Sequence, residues 1–128
     1  MNYKLCIGKT ILLVEDNKKI QMFNKRMLER NHFSIEMAFT LDEARNILAR
    51  QTPAAIILDI GMPDGNGLEF LRELRKTSQI PVLLLTGYSI DSDFVMEFAT
   101  ERIEYLAKPY EFEALLGRLM RLLQRGEN

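Results

Sequence analysis

Ala54-Ala55-Ile56-Ile57-Leu58, closed by the single carboxylate Asp59, is the stretch on which the fold turns. Successive side chains of a strand point to opposite sides, so an unbroken apolar run cannot have one wet face. It belongs inside a parallel sheet covered on both sides. Ile11–Val14 and Val82–Leu85 have the same character. Phe33-Ser34-Ile35-Glu36-Met37 instead alternates, and Ile103-Glu104-Tyr105 begins to, which predicts edge strands.

The segments between these runs carry a helical period. Ile20, Phe23, Met27 and Leu28 share one face, as do Leu41, Ala44 and Leu48, then Leu68, Leu71 and Leu74. Phe94, Val95 and Phe98 make a weaker fourth stripe, and Phe112, Leu115, Leu116, Leu119, Leu122 and Leu123 the clearest. Thr40 with Glu43 reads as a capping box opening the second helix. The expected fold is α/β, a flavodoxin-like (βα)5 doubly wound parallel sheet of five strands in the order 2-1-3-4-5.

Composition bounds the function. A chain of 128 residues fits one domain, and 47% hydrophobic with 27% charged residues is the balance of a soluble globular protein. A formal net charge of -1 argues against nucleic acid or anionic membrane as a partner. No apolar stretch nears the roughly 20 residues that span a bilayer. MNYKLCIGK is too short and polar for a secretory signal, and Cys6, the single cysteine, excludes an internal disulfide or a cysteine-cluster metal site. The expected location is the cytoplasm. Residues 1–9 read as an N-terminal extension, 10–125 as the folded domain and 126–128 as a tail.

In doubly wound sheets, ligands bind beyond the carboxyl ends of the strands where the strand order reverses. Here the reversal falls between strands one and three, which run into Glu15-Asp16-Asn17 and Asp59. Three carboxylates therefore meet in one crevice, with Thr86 at the end of strand four and Lys108 at the end of strand five. Crowded like charges raise a pKa unless a cation compensates them. An all-oxygen set without histidine or cysteine suits Mg²⁺ or Mn²⁺ and disfavours zinc. Gly61 would permit an unusual backbone conformation that turns a main-chain carbonyl toward the metal. Lys108 reads either as a structural ion pair or, with metal and a hydroxyl, as part of a clamp for a phosphoryl group. Asp59 could itself be the nucleophile, giving an aspartyl phosphate.

ILLVEDN (11–17), LDIGMPDGNG (58–67), LLLTG (83–87) and YLAKPY (105–110), in this order and spacing, resemble the receiver domain of bacterial two-component response regulators of the chemotaxis-regulator kind. The resemblance runs from about Thr10 to about Gln124. It implies Asp59 as phosphoacceptor, Asp16 as a direct metal ligand, Glu15 acting through water, and the Gly61 carbonyl completing the protein's share of the metal shell. It implies Thr86 as switch hydroxyl, Tyr105 as switch aromatic, Lys108 as the phosphate-binding lysine, and a cis peptide bond before Pro109. The implied function is a phosphorelay signalling domain that takes a phosphoryl group from a histidine kinase or phosphotransfer protein. It would catalyse only its own phosphorylation and dephosphorylation, and switch the face of helix four, strand five and helix five toward an unknown downstream target. The chain is expected to be either a stand-alone regulator or one domain of a larger protein.

The chain also departs from that pattern. Glu101-Arg102 stands where Gly-Ala is usual, and the fourth helical segment, Ser89–Thr100, carries Asp91, Asp93 and Glu97 but no basic residue. The salt-bridged dimer face of some DNA-binding regulators is thus incomplete, and a weak homodimer stays open. Two other classes remain. A flavin or nucleotide module would want a first loop rich in glycine or hydroxyls, which Glu15-Asp16 opposes. A metal-dependent phosphatase with an aspartyl phosphate usually has a second acid two residues after the nucleophile, where Gly61 stands. Taken singly, Asp16 reads as a helix cap, Tyr105 as an edge-strand aromatic, His32 as a solvent-facing turn residue, and Met62, Met96 and Met120 as packing. Lys18, Lys19, Lys25 and Arg26 read as a solvated helix face.

Overall fold

The computed structural model of the chain describes residues 7–87, Glu97 and residues 102–126. β1 (Thr10–Val14), α1 (Lys18–Arg30), β2 (Ser34–Ala38), α2 (Leu41–Arg50) and β3 (Ala55–Asp59) come first. A small antiparallel ladder of β4 (Gly61–Met62) and β5 (Gly65–Asn66) leads into α3 (Gly67–Arg75). β6 (Val82–Thr86), β7 (Ile103–Ala107) and α4 (Phe112–Gly126) complete the described elements. The main sheet is parallel, with the order β2-β1-β3-β6-β7, which is the expected 2-1-3-4-5 once the short ladder is counted.

Parity along the inner strands divides the core. Ile11, Leu13, Ala55, Ile57, Leu83 and Leu85 face the side covered by α1 and α4. Leu12, Val14, Ile56, Leu58, Val82 and Leu84 face the side covered by α2 and α3. The unbroken apolar runs are needed because each strand feeds two cores. The edge strands β2 and β7 are mostly half-buried or exposed. No helix among the described residues is long and apolar enough to cross a membrane.

Local signals set the helix starts. Asn17 caps α1 through Ile20 N–H, so the helix-cap role open to Asp16 is filled by its neighbour. Thr40 caps α2 through Glu43 N–H, and the Glu43 carboxylate accepts from Phe39 N–H one residue earlier than a strict capping box has it. The β2 and β3 ranges sit one residue later than the apolar runs suggest, at Ser34–Ala38 and Ala55–Asp59. His32 is exposed in the turn after α1 at φ 74°, and Met62 and Met120 are packed. Gly126 ends α4.

The face of α1 differs from expectation. Gln21, Asn24 and Leu28 are the buried residues, while Phe23 is 53% exposed. Polar groups at the end of the sheet offer partners to amide side chains there, and that outweighs the apolar count. The stripe Phe94, Val95, Phe98, together with Cys6, Met96, Glu101, Tyr88 and the rest of Ser89–Thr100, lies outside the described residues, Glu97 excepted. Glu97 is helical and pairs with Arg72 of α3 through two hydrogen bonds of 2.6 and 3.0 Å.

Candidate functional site

Register brings the charged residues to one edge. Val14 pairs with Leu58 and Asp59 with Leu85, so Glu15 leaves β1 at the level where Asp59 closes β3. Thr86 pairs with Ala107, which sets Lys108 one residue beyond β7. Main-chain bonds carry the ladder past the strand ends: Glu15 N–H to Ala38 at 3.1 Å, Ile60 N–H to Leu85 at 3.1 Å and Lys108 N–H to Thr86 at 2.8 Å. The site is therefore built on sheet rather than on loop.

Glu15, Asp16, Asp59, Gly61 and Lys108 line a common cleft of about 470 Å³. One oxygen from each acid lies within 4.8 Å of the others. Lys108 Nζ donates to Asp59 Oδ2 at 2.5 Å and stands 3.7 Å from Glu15 Oε1. Gly61 N–H donates to Asp59 Oδ1 at 3.0 Å, so each Asp59 oxygen holds one donor. Asn17 N–H donates to Glu15 Oε2 at 3.2 Å, whereas the buried Glu15 Oε1 has no hydrogen-bond partner among the described residues. Asp16 is exposed beside them.

The electrostatics follow from this crowding. Burial pushes the Glu15 carboxyl up to about 7; the Asn17 amide opposes the rise and the Asp59 charge adds to it. Burial by itself would lower Lys108, but the Asp59 hydrogen bond and the Asp59 and Glu15 charges outweigh it and raise the ammonium. An ammonium so held stays charged throughout the physiological range. A buried carboxylate oxygen lacking a donor, next to two further acids, suits a hydrated divalent cation, whose bound water can donate to that oxygen. The donor set therefore fits Mg²⁺ or Mn²⁺.

The remaining expected residues are distributed around this cleft. Thr86 is buried at the end of β6, with Gly87 rather than Thr86 in the cleft lining. Tyr105 is 43% exposed on β7, and its carbonyl accepts from Arg118. The Lys108–Pro109 peptide is cis. Gly61 is a correction: its φ is not in the left-handed region, and open space surrounds the position of a Cβ, so no unusual backbone is needed there. Two other glycines of the loop are required instead: Gly65, at φ 155°, and Gly67, where a Cβ would lie 2.7 Å from Ile60 Cα and 2.8 Å from the Asp59 carbonyl oxygen.

Other supporting residues carried weak sequence signals. Gln21 donates to the carbonyls of Leu13, Glu15 and Ala38 at 3.0, 3.3 and 3.0 Å. Asn24 donates to the Tyr110 hydroxyl at 3.1 Å. Asp64, in the loop after Asp59, accepts from Leu41 and Asp42 N–H at the start of α2. Those two amides, ahead of any capping side chain, hold the Asp64 carboxyl below its usual range. Only spacing could have flagged Gln21 and Asn24, which share the helical face of Leu28.

Comparisons with known proteins agree with this geometry. The family model of the response regulator receiver domain matches residues 11–120. The KDP operon transcriptional regulatory protein KdpE of Escherichia coli is 37% identical over 115 residues, covering 90% of this chain and 51% of its own length. Response regulator MprA of Mycobacterium leprae is 38% identical over 116 residues, with 90% and 51% covered. This chain thus spans about half the length of the curated relatives it matches. Among solved structures, the receiver domain of a Francisella response regulator superposes with TM-score 0.84 at 28% identity, over 93% of this chain and 99% of that one. Chemotaxis response regulator CheY4 of Vibrio cholerae gives 0.79 at 27% identity, over 89% and 98%. The chain belongs to the response regulator receiver domain family, as a signalling domain of two-component systems.

Proposed function

We propose that this receiver domain accepts a phosphoryl group on Asp59 from a histidine kinase or phosphotransfer protein. The observation that carries the reading is the Lys108 ammonium on one Asp59 oxygen, with three acids converging beside it. Asp59 attacks the donor phosphorus; a new P–O bond forms as the donor's P–N bond breaks, and the donor nitrogen takes up a proton. Gly61 N–H and β3 hold the nucleophile still, and Lys108 neutralises charge on the phosphoryl oxygens. Asp16 and Asp59, with the Gly61 carbonyl, would hold Mg²⁺ or Mn²⁺ directly, and Glu15 would act through water. When bound, the cation would offset the negative charge of the acids and of the incoming group. Attack of water on phosphorus returns free carboxylate and phosphate, so the only reactions catalysed are the domain's own.

Thr86 is the proposed switch hydroxyl and Tyr105 the proposed switch aromatic. A full two-state shift needs about 5.5 kcal/mol, and one charge-assisted hydrogen bond supplies about 1.5–3 kcal/mol. Thr86 must therefore act together with Lys108. We take residues 10–125 as the receiver unit, the cytoplasm as its location and DNA binding as absent from this segment alone. With acetyl phosphate and Mg²⁺, intact mass should rise by one phosphoryl group in wild type and stay unchanged in Asp59→Asn. Equal labelling of that variant sinks the assignment.

A further inference from the structure

Two buried amides of α1 reach the two sides of the cleft separately. Gln21 is 1% exposed, and its amide spans the carbonyls of Leu13 in β1, of Glu15 just beyond that strand and of Ala38 at the end of β2. Asn24, one turn on and 4% exposed, holds the Tyr110 hydroxyl two residues beyond Lys108. Neither amide lines the three-acid cleft. Buried amides are costly unless bonded, and apolar side chains would have served the core as well if packing were all that mattered. From this we infer that Gln21 and Asn24 are positioning residues: Gln21 fixes the exit of the strand that bears Glu15 and Asp16, and Asn24, through Tyr110, fixes the segment that bears Lys108. This rests on the proposed phosphoryl acceptance for its meaning, but each half has its own geometry.

The two halves make different demands on experiment. Gln21→Met keeps length and removes both donors, so the acids lose their anchor while Lys108 keeps its own. Mg²⁺ affinity, followed by heteronuclear NMR titration, should fall about ten-fold, the scale on which supporting groups tune a metal site. Tyr110→Phe deletes only the hydroxyl. Its Mg²⁺ affinity should stay within two-fold of wild type, while its phosphorylation rate at saturating Mg²⁺ and acetyl phosphate falls about ten-fold. Asn24→Leu should match Tyr110→Phe, and the double variant should lose no more than either, since one bond is removed in all three. In the metal-free protein, the Lys108 amide signal should move in Tyr110→Phe and not in Gln21→Met.

Unchanged Mg²⁺ affinity in a folded Gln21→Met overturns the acid half. A Tyr110→Phe rate within two-fold of wild type, with a stationary Lys108 signal, overturns the lysine half. Should Gln21→Met lack a cooperative melt, Gln21→Asn, whose shorter amide breaks the same carbonyl bonds, decides the acid half by the same Mg²⁺ titration, and Tyr110→Phe decides the lysine half. Wild type that binds Mg²⁺ yet takes no phosphoryl group refutes the proposed function instead, and the Mg²⁺ titration and the Lys108 signal then decide the two positioning roles.

Discussion

α1 and α4 contribute to the same core beneath one face of the sheet, yet they bury opposite kinds of surface. α4 turns Leu115, Leu116, Leu119, Leu122 and Leu123 inward. α1 buries Gln21 and Asn24 with the single leucine Leu28, and leaves Met22 38% and Phe23 53% exposed. Every leucine buried on α4 contributes roughly 1.5–3 kcal/mol of transfer free energy. The amides of α1 contribute little by that route, but they fix the backbone on which charged groups stand. One helix stabilises the domain and its neighbour sets the geometry of the site.

The sharpest way to break this contrast is Leu119→Ala. Leu119 is fully buried, so the variant should lose about 2–5 kcal/mol in urea unfolding. Mg²⁺ affinity of the folded fraction should not change. A matching loss of Mg²⁺ affinity would mean that α4 shapes the site after all.

A smaller effect of opposite sign is expected beside α1. The folded-state pKa of Glu15, about 7, lies above its ordinary 4.5, so between those values the native state binds more protons than the unfolded chain. Stability therefore falls as pH rises from about 4.5 to about 7 and is level beyond. Glu15→Gln lacks that fall. At pH 8 without divalent cation it should be more stable than wild type by roughly 1–3 kcal/mol, with the gain gone below pH 4.5. Urea titrations at both pH values measure it, and a loss of stability at pH 8 would show that the carboxylate is compensated in the fold.

The smallest effect belongs to the outer face of α1. Phe23 meets Phe112 edge-on at 6.5 Å between ring centroids. Phe23→Ser should cost less than about 1 kcal/mol, because half of the ring is already in water. A loss as large as that of Leu119→Ala would put Phe23 in the core and erase the comparison.

The same contrast explains how much could be read from the chain. Strand order followed from unbroken versus alternating runs, because burial on two faces leaves no room for polar residues at Ile56 or Leu84. The acids, Asp59 and Lys108 could be read because strand ends in a parallel sheet are fixed by the strands themselves. The buried face of α1 could not: Phe23 scores as apolar wherever it points, and the partners of Gln21 are carbonyls that any sequence possesses. The conformational freedom expected of Gly61 belongs to Gly65, at φ 155°, and the demand for glycine at Gly67 is one of packing against Ile60 and the Asp59 carbonyl, which depends on how the chain folds back. Asp64 reaching Leu41 is likewise a contact across 23 positions with no local pattern.

The phenol of Tyr110 has a consequence for the laboratory. The chain has no tryptophan and four tyrosines, so the long-wavelength part of its near-ultraviolet spectrum comes from phenols, its seven phenylalanines absorbing at shorter wavelength. Burial, opposed by the Asn24 bond, lifts the Tyr110 hydroxyl above its ordinary ionisation range. In an alkaline absorbance titration, Tyr110 should therefore ionise late, and releasing it from Asn24 should move that late step. The domain thus carries an unlabelled optical reporter two residues from Lys108, readable in a cuvette.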